Sequence, residues 1–109
     1  MYLDYIRERQ PGKYVIQEEH GFCVYSFTDD DTAVYIEEIY VKPEFRKSGL
    51  SHSLRSQVEE IARQKGCITL LGTVVPSCRG ATTSIKVLLG NGLKLLSAEN
   101  DLIWFFKEL

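Results

Sequence analysis

Alternating apolar and polar residues in the first third of the chain predict three consecutive β-strands. Residues 13–18 (KYVIQE) and 21–28 (GFCVYSFT) are rich in β-branched and aromatic side chains, and the polar link around residues 19–21 is typical of a hairpin turn. A second turn at residues 29–32 (DDDT) precedes residues 33–41 (AVYIEEIYV), the longest strand candidate. The pattern therefore predicts an antiparallel meander.

After Pro43 the apolar spacing changes from that of a strand to that of a helix. One side of the predicted helix is apolar and consists of Leu50, Leu54, Val58, Ile61 and Ala62. The opposite side is polar and consists of Arg55, Glu59, Glu60, Arg63 and Gln64. Gly66 stands where a left-handed residue ends the helix. The apolar run at residues 67–75 (CITLLGTVV) predicts a strand buried on both faces, parallel to 33–41 through a right-handed crossover.

The last third of the chain predicts a second helix and a closing hairpin. Ile85, Leu88 and Leu89 keep helical spacing until residues 90–92 (GNG), and the helix begins near Ser77 or Thr82. Residues 93–97 and 102–107 then flank a turn at residues 98–101. We therefore expect a single domain over residues 1–109, of the α/β (α+β) class, with a mixed central sheet.

Composition narrows the classes of function. The chain is 44% hydrophobic and 26% charged, and no apolar run approaches the ~20 residues of a membrane span. The formal net charge of −2 disfavours nucleic acid as a partner. Three cysteines without a C-x-x-C pair argue against a disulfide framework and a metal site, so we expect reduced, partly buried thiols. Residues 1–7 lack the apolar stretch of a secretion signal, which predicts a cytoplasmic protein.

The loop between the long strand and the first helix carries the chemistry. Its sequence at residues 41–51 is VKPEFRKSGLS. A loop that enters a helix directs unpaired backbone N–H groups outward, and Gly49 lets a ligand approach the backbone closely. Ser48 or Ser51 could cap the helix, while Arg46 and Lys47 add positive charge. Such a loop suits a pyrophosphate, although a plain helix start would show the same residues.

Two common nucleotide-binding loops are excluded, because neither the G-x-x-x-x-G-K pattern nor the three-glycine dinucleotide fingerprint is present. Instead, Arg46-x-x-Gly49-x-Ser51, preceded by Val41-x-Pro43 and followed by an amphipathic helix, resembles the coenzyme-A-binding motif of the GNAT superfamily of N-acetyltransferases. The order of predicted elements agrees with that family over residues 13–109. Ser51 departs mildly from the family pattern, which has Gly or Ala there.

The resemblance implies where acetyl-coenzyme A would bind. The backbone amides from Arg46 to Ser51 would hold the pyrophosphate, and the main chain of Ile39, Tyr40 and Val41 would pair with the pantetheine arm as an added strand. The cofactor-binding residues implied are Ile39, Tyr40, Val41, Arg46, Lys47, Ser48, Gly49, Leu50 and Ser51. The family also separates its two parallel strands at a bulge in the first, which would place the thioester between Ile39 and residues 73–75.

The sequence defines the residues of proton transfer less well than those of coenzyme A binding. Transfer of an acetyl group to an amine needs a base, and Glu37 and Glu38 are the strand carboxylates near the cleft. Simple alternation puts them on opposite faces, and a bulge would shift which one lines the cleft. Glu37 matches a glutamate of some polyamine-acetylating relatives. Many relatives carry a tyrosine acid where this chain has Leu88, so the sulfur would leave as thiolate, or Ser84 would substitute.

The resemblance also bears on the acceptor. Typical relatives place a strand and two helices before the meander, whereas here about a dozen residues precede it, so we expect an open acceptor side. Such a site would suit a protein lysine or would be completed by a second subunit in a homodimer, and the acceptor class that the resemblance implies is a small amine or a protein lysine. Two other hypotheses remain: a coenzyme-A-binding module without catalysis, and a small interaction domain in which the loop is only a helix start.

Overall fold

Six strands and two α-helices form the framework of the described residues 12–109 in the computed structural model. The strands are β1 (Lys13–Glu18), β2 (Gly21–Phe27), β3 (Ala33–Val41), β4 (Thr69–Val74), β5 (Lys94–Glu99) and β6 (Leu102–Glu108). The helices are α1 (Leu50–Lys65) and α2 (Ala81–Gly90). Residues 1–7, on which the expectation about secretion rests, lie outside the described residues.

The strands form one mixed sheet in the order β1-β2-β3-β4-β6-β5. The β3–β4 pair is parallel and is joined through α1, whereas the remaining neighbours pair antiparallel. The predicted meander, strand-helix-strand crossover, second helix and closing hairpin are thus confirmed. Within residues 12–109, neither helix has the length and hydrophobicity of a membrane span.

Several element ends follow from local backbone chemistry. Gly66 ends α1 in the left-handed region, with φ of 99°, as the sequence predicted. The β5–β6 turn is confined to Asn100 and Asp101, the last two of the four residues predicted for it, which adopt φ of 52° and 57°. Two consecutive left-handed residues make a tight hairpin turn whose twist matches the strands. β4 is shorter than expected, since Cys67 and Ile68 precede it.

Both helices cover the same face of the sheet. Leu54, Val58 and Ala62 of α1 pack in one core cluster with strand residues that include Val34 and Leu70. We call this side, lined by Val34, Ile36, Leu70 and Gly72, the helix-bearing face. Burial alternates along β4, so the prediction of a strand buried on both faces was wrong. Tyr35 and Thr73 point away from the helices, to what we call the opposite face.

The polar side of α1 departs from expectation. Arg55 and Glu59 are buried, with 4% and 3% of their surface exposed, whereas Ile61 is 39% exposed. The thiols also differ from one another: Cys23 and Cys67 are buried, but Cys78 is exposed, and all three are free. Burial raises the pKa of Cys23 to about 12, which keeps that thiol protonated and unreactive.

Candidate functional site

A bulge interrupts β3 in the middle of its pairing with β2. Val24 lies opposite Glu38, and the next residue of β2, Tyr25, lies opposite Ile36. Glu37 is therefore the extra residue of β3. A bulge of this kind bends its strand and re-aims the side chains next to it, and such bulges are common beside active sites. The bulge that the family resemblance implied is present.

The parallel strands β3 and β4 separate just beyond this bulge. Their last paired residues are Ile36 and Gly72, after which β3 continues to Val41 and β4 to Val74 without pairing to each other. One edge of β3 remains bonded to β2 through the pairs Ile39–Cys23 and Tyr40–Phe22. The other edge faces the gap. Main-chain groups of Ile39 on that edge are thus available to an extended ligand, as predicted, whereas the prediction for Tyr40 was wrong because its carbonyl points to β2, beside Gly21.

Val41 differs from its two neighbours. Its carbonyl oxygen accepts a hydrogen bond from Arg46 Nε at 3.1 Å. The carbonyl of Val41, predicted to contact pantetheine, therefore already has one donor, and a ligand would share this oxygen with Arg46. The Arg46 side chain folds back to the end of β3. The bond fixes where the loop leaves the strand.

The loop from β3 to α1 turns twice through the left-handed region. A short 3-10 turn at Pro43–Phe45 follows the strand, and Lys47 and Gly49 then have φ of 68° and 87°. Gly49 is the first residue flanking α1, and no side chain caps the helix. Ser48 Oγ instead donates to the carbonyl of Phe45. The prediction that Ser48 or Ser51 caps α1 was therefore wrong.

Uncapped amides result from this geometry. The amides of Arg46 and Ser48 donate to the carbonyls of Pro43 and Phe45, at 3.4 and 3.3 Å. The amides of Lys47, Gly49, Leu50 and Ser51 have no acceptor in the part of the chain that the structure describes. The anion-binding set predicted from Arg46 to Ser51 is thus reduced to these four amides, which lie at the positive end of the α1 dipole. They suit the two phosphates of a pyrophosphate.

Replacing Gly49 by Val is expected to weaken acetyl-coenzyme A binding by about tenfold or more, because a branched side chain would stand where phosphate approaches the backbone. The left-handed conformation adds a strain of about 1–2 kcal/mol. Gly66→Val is the matched control, because Gly66 has a similar backbone conformation at the far end of α1, and neither site has an atom within 4 Å of an added Cβ. Equal affinity of both variants by calorimetry would refute this pyrophosphate site.

The helix α2 closes the gap from the helix-bearing face. A Cβ added at Gly72 would lie 3.2 Å from Leu88 Cδ2, so Leu88 sits over the last β3–β4 pair. The position at which relatives carry a tyrosine thus faces the separation of the strands, although leucine offers no proton. Ser84 lies one turn earlier and is exposed. The structure does not bring Ser84 together with Glu37, which lies on the opposite face.

Glu37 and Glu38 lie on the same face. Glu38 pairs with Val24, whose neighbours Cys23 and Tyr25 belong to the core cluster of the helix-bearing face. Glu37, the extra residue of the bulge, contacts Lys13, which also belongs to the opposite face. The alternation that placed the two carboxylates on different faces was therefore wrong, since the bulge cancels it. Of the two, Glu38 is exposed and Glu37 is half-buried.

The surroundings of Glu37 were not predicted from the sequence. Lys13 Nζ lies 2.9 Å from Glu37 Oε1. Glu37 Oε2 is buried without a hydrogen-bond partner among the described residues. On the same face, the hydroxyl groups of Tyr35 and Thr73 are hydrogen-bonded across the β3–β4 pair. Sequence offered one signal for these contacts: strand alternation places Lys13, Tyr35 and Thr73 on one face once the registers are known.

Comparison with known proteins gives this arrangement a family. Residues 2–81 match the model of the acetyltransferase (GNAT) family. The chain belongs to this family. A thialysine N-epsilon-acetyltransferase from Bos taurus is 46% identical over 71 residues, which covers 62% of the chain and 42% of that protein. The chain thus matches less than half the length of this relative.

Solved structures agree with the family fold. A GNAT-family acetyltransferase from Desulfovibrio desulfuricans has a TM-score of 0.79 at 18% identity and covers 96% of this chain and 75% of its own. A Bacillus subtilis acetyltransferase, solved in complex with coenzyme A, has a TM-score of 0.73 at 17% identity and covers 97% and 83%. At this level of identity the similarity shows the mixed α/β fold.

Proposed function

We propose that this chain is an N-acetyltransferase that moves an acetyl group from acetyl-coenzyme A to a primary amine in a ternary complex. The observation that carries the proposal is the separation of β3 from β4 beside the free amides at the start of α1. An extended arm with a pyrophosphate at one end has the shape that this edge and loop accept. Membership of the acetyltransferase family supports the same reading.

The donor would bind mainly through backbone groups. The pantetheine arm would add to the free edge of β3 at Ile39 and Val41, and the pyrophosphate would lie against the amides of Lys47, Gly49, Leu50 and Ser51. Lys47 would add a formal charge. The neighbour from Bacillus subtilis was solved with coenzyme A, which supports this donor class. The thioester would then reach the gap between Ile39 and the end of β4.

The reaction would proceed by direct attack. The lone pair of a neutral amine forms the new C–N bond at the thioester carbonyl, and the C–S bond breaks with its electron pair on sulfur. We assign Glu37 as the base that receives the amine proton. Because Leu88 has no proton to give, coenzyme A would leave as the thiolate, which by analogy with the cysteine thiol, of pKa near ~8.5, is a competent leaving group.

The acceptor class rests on charge and on the similar protein. Glu37 and Glu38 share the face of the sheet opposite the helices and favour a cationic amine. The bovine relative is named for acetylation of an epsilon nitrogen, which is a primary amine at the end of an aliphatic chain. We therefore propose a small aliphatic amine or a lysine side chain as the acceptor, with a second subunit as one way to complete its site.

Two measurements test the proposal. Acetyl-coenzyme A at about 100 times its dissociation constant should add ~2.7 kcal/mol to the free energy of unfolding, seen as a higher melting temperature. Thiol release should then appear with at least one member of a panel of polyamines, amino acids, aminoglycosides and lysine peptides. No melting shift would favour a small interaction domain. A shift without thiol release would favour a non-catalytic coenzyme-A-binding module, the alternative that Leu88 supports.

A further inference from the structure

The proposed base Glu37 already holds an ammonium group that belongs to the chain itself. Lys13 Nζ lies 2.9 Å from Glu37 Oε1. This distance falls within the ~2.6–3.2 Å at which a general base receives a proton from a bound substrate. Lys13 thus stands where the amine of a cationic acceptor would stand if it paired with the same oxygen.

The second carboxylate oxygen of Glu37 is not accessible to an acceptor amine from solvent. Oε2 is buried and has no hydrogen-bond partner in the described part of the chain. An amine that arrives from solvent therefore reaches this carboxylate through Oε1, which Lys13 already holds. Two ammonium groups at one carboxylate oxygen repel each other, so the acceptor and Lys13 exclude one another.

Lys13 is also placed so that it can leave. It is the first residue of β1, which is an edge strand of the described sheet. In the ion pair, 34% of the Lys13 side-chain surface is exposed to solvent, compared with 22% for Glu37. A long, partly exposed lysine side chain regains solvation and rotational freedom when its ion pair breaks, so such pairs are weak. An acceptor amine can therefore displace the ammonium group of Lys13 from Glu37.

We propose that Lys13 is a specificity-determining residue that competes with the acceptor amine for Glu37. The inference rests on the proposed amine-acetylating function. Its consequence is a raised KM for acceptors that bind by charge alone, because each must displace an ammonium group. The competition lowers the affinity of every acceptor that pairs with Glu37 by the same factor, and an acceptor with additional contacts outside the carboxylate starts from a higher affinity. At a limited concentration, the acceptors that still bind are therefore those recognised by more than their positive charge.

Calorimetric titration with 1,4-diaminobutane tests the competition without any need for turnover. The titration is run with and without saturating coenzyme A, on the wild-type chain and on Lys13→Met, which keeps the length of the side chain and removes its charge. We expect Lys13→Met to bind the diamine about fivefold more tightly, the amount expected from loss of one partly exposed competing ion pair. Lys13→Arg should keep the wild-type affinity.

Two controls separate competition from other effects. Lys65→Met removes the same charge at the end of α1, away from Glu37, and should leave diamine affinity unchanged. In a Glu37→Gln background, Lys13→Met should have no further effect. Equal or weaker binding by Lys13→Met, or no binding by either protein, would overturn the competition. Absence of thiol release with every amine would instead count against the acetyltransferase function, since the titration does not depend on catalysis.

Discussion

Replacing Glu37 by Gln should lower kcat for acetyl transfer by about 100- to 10,000-fold, because the amide cannot receive the proton of the attacking amine. Gln keeps the length of the side chain and the hydrogen-bonding oxygen. The free edge of β3 and the amides at the start of α1 are main-chain groups, so acetyl-coenzyme A affinity should stay within about twofold. Steady-state thiol release and calorimetry on the same preparation measure both quantities.

Glu38→Gln is the control for this result. Glu38 is the next residue of the same bulge and lies on the same face, but it is exposed whereas Glu37 is half-buried. Removing its charge should change kcat by less than about tenfold. If Glu38→Gln is the slower enzyme, the base has been assigned to the wrong carboxylate. If neither substitution slows transfer, a water chain or the solvent takes the proton.

The fold was predictable because each element shows a local pattern. The spacing of apolar residues gives the period of β3 and of α1, and Gly66 marks the end of the helix. The β1–β2, β2–β3 and β5–β6 pairs followed from the short links and the β3–β4 pair from its helix-long link, whereas the β4–β6 pair, whose strands are separated by α2 and β5, was not predicted. The start of α2 was uncertain in sequence because Ser77 and Thr82 are both possible first residues, and the structure begins that helix at Ala81, directly after the left-handed Gly80.

The site was predictable only in its backbone. The loop from Arg46 to Ser51 has a recognisable sequence motif. The left-handed conformation of Lys47 and the hydrogen bond made by the amide of Ser48 depend instead on the three-dimensional turns of the loop. The contact of Lys13 with Glu37 joins strands that are two positions apart in the sheet. No local pattern encodes such a contact. It follows from register, and register is fixed by pairing energies along whole strands.

Helical periodicity also misjudged the polar side of α1, because it assumes one buried side. Arg55 and Glu59 fall outside the apolar stripe, yet β6 supplies Lys107 and the end of α2 supplies the carbonyl of Asn91 as partners. These partners come from a part of the chain more than 30 residues away. From the sequence alone, a charged helix residue that distant elements bury therefore looks the same as one that faces solvent.

This buried cluster leads to the largest expected effect on stability. Glu59 Oε1 lies 2.9 Å from Lys107 Nζ, and Glu59 Oε2 lies 3.3 Å from Arg55 Nε. Replacing Glu59 by Gln should lower the free energy of unfolding by about 3–5 kcal/mol, because the buried guanidinium of Arg55 loses its counter-charge. Urea unfolding followed by circular dichroism measures the loss. Glu60→Gln is the control, since that exposed carboxylate should contribute less than ~1 kcal/mol.

A paired substitution shows whether the loss comes from charge burial or from lost packing. Replacing Arg55 by Met and Glu59 by Leu together removes both buried charges and fills their space with apolar atoms. If an uncompensated charge causes the loss in Glu59→Gln, the double variant should recover most of it, because paired charges and apolar groups of similar volume are often equivalent in a core. A double variant as unstable as Glu59→Gln would instead assign the energy to the hydrogen bonds of Arg55, which join the first turns of α1 at His52 to the end of α2.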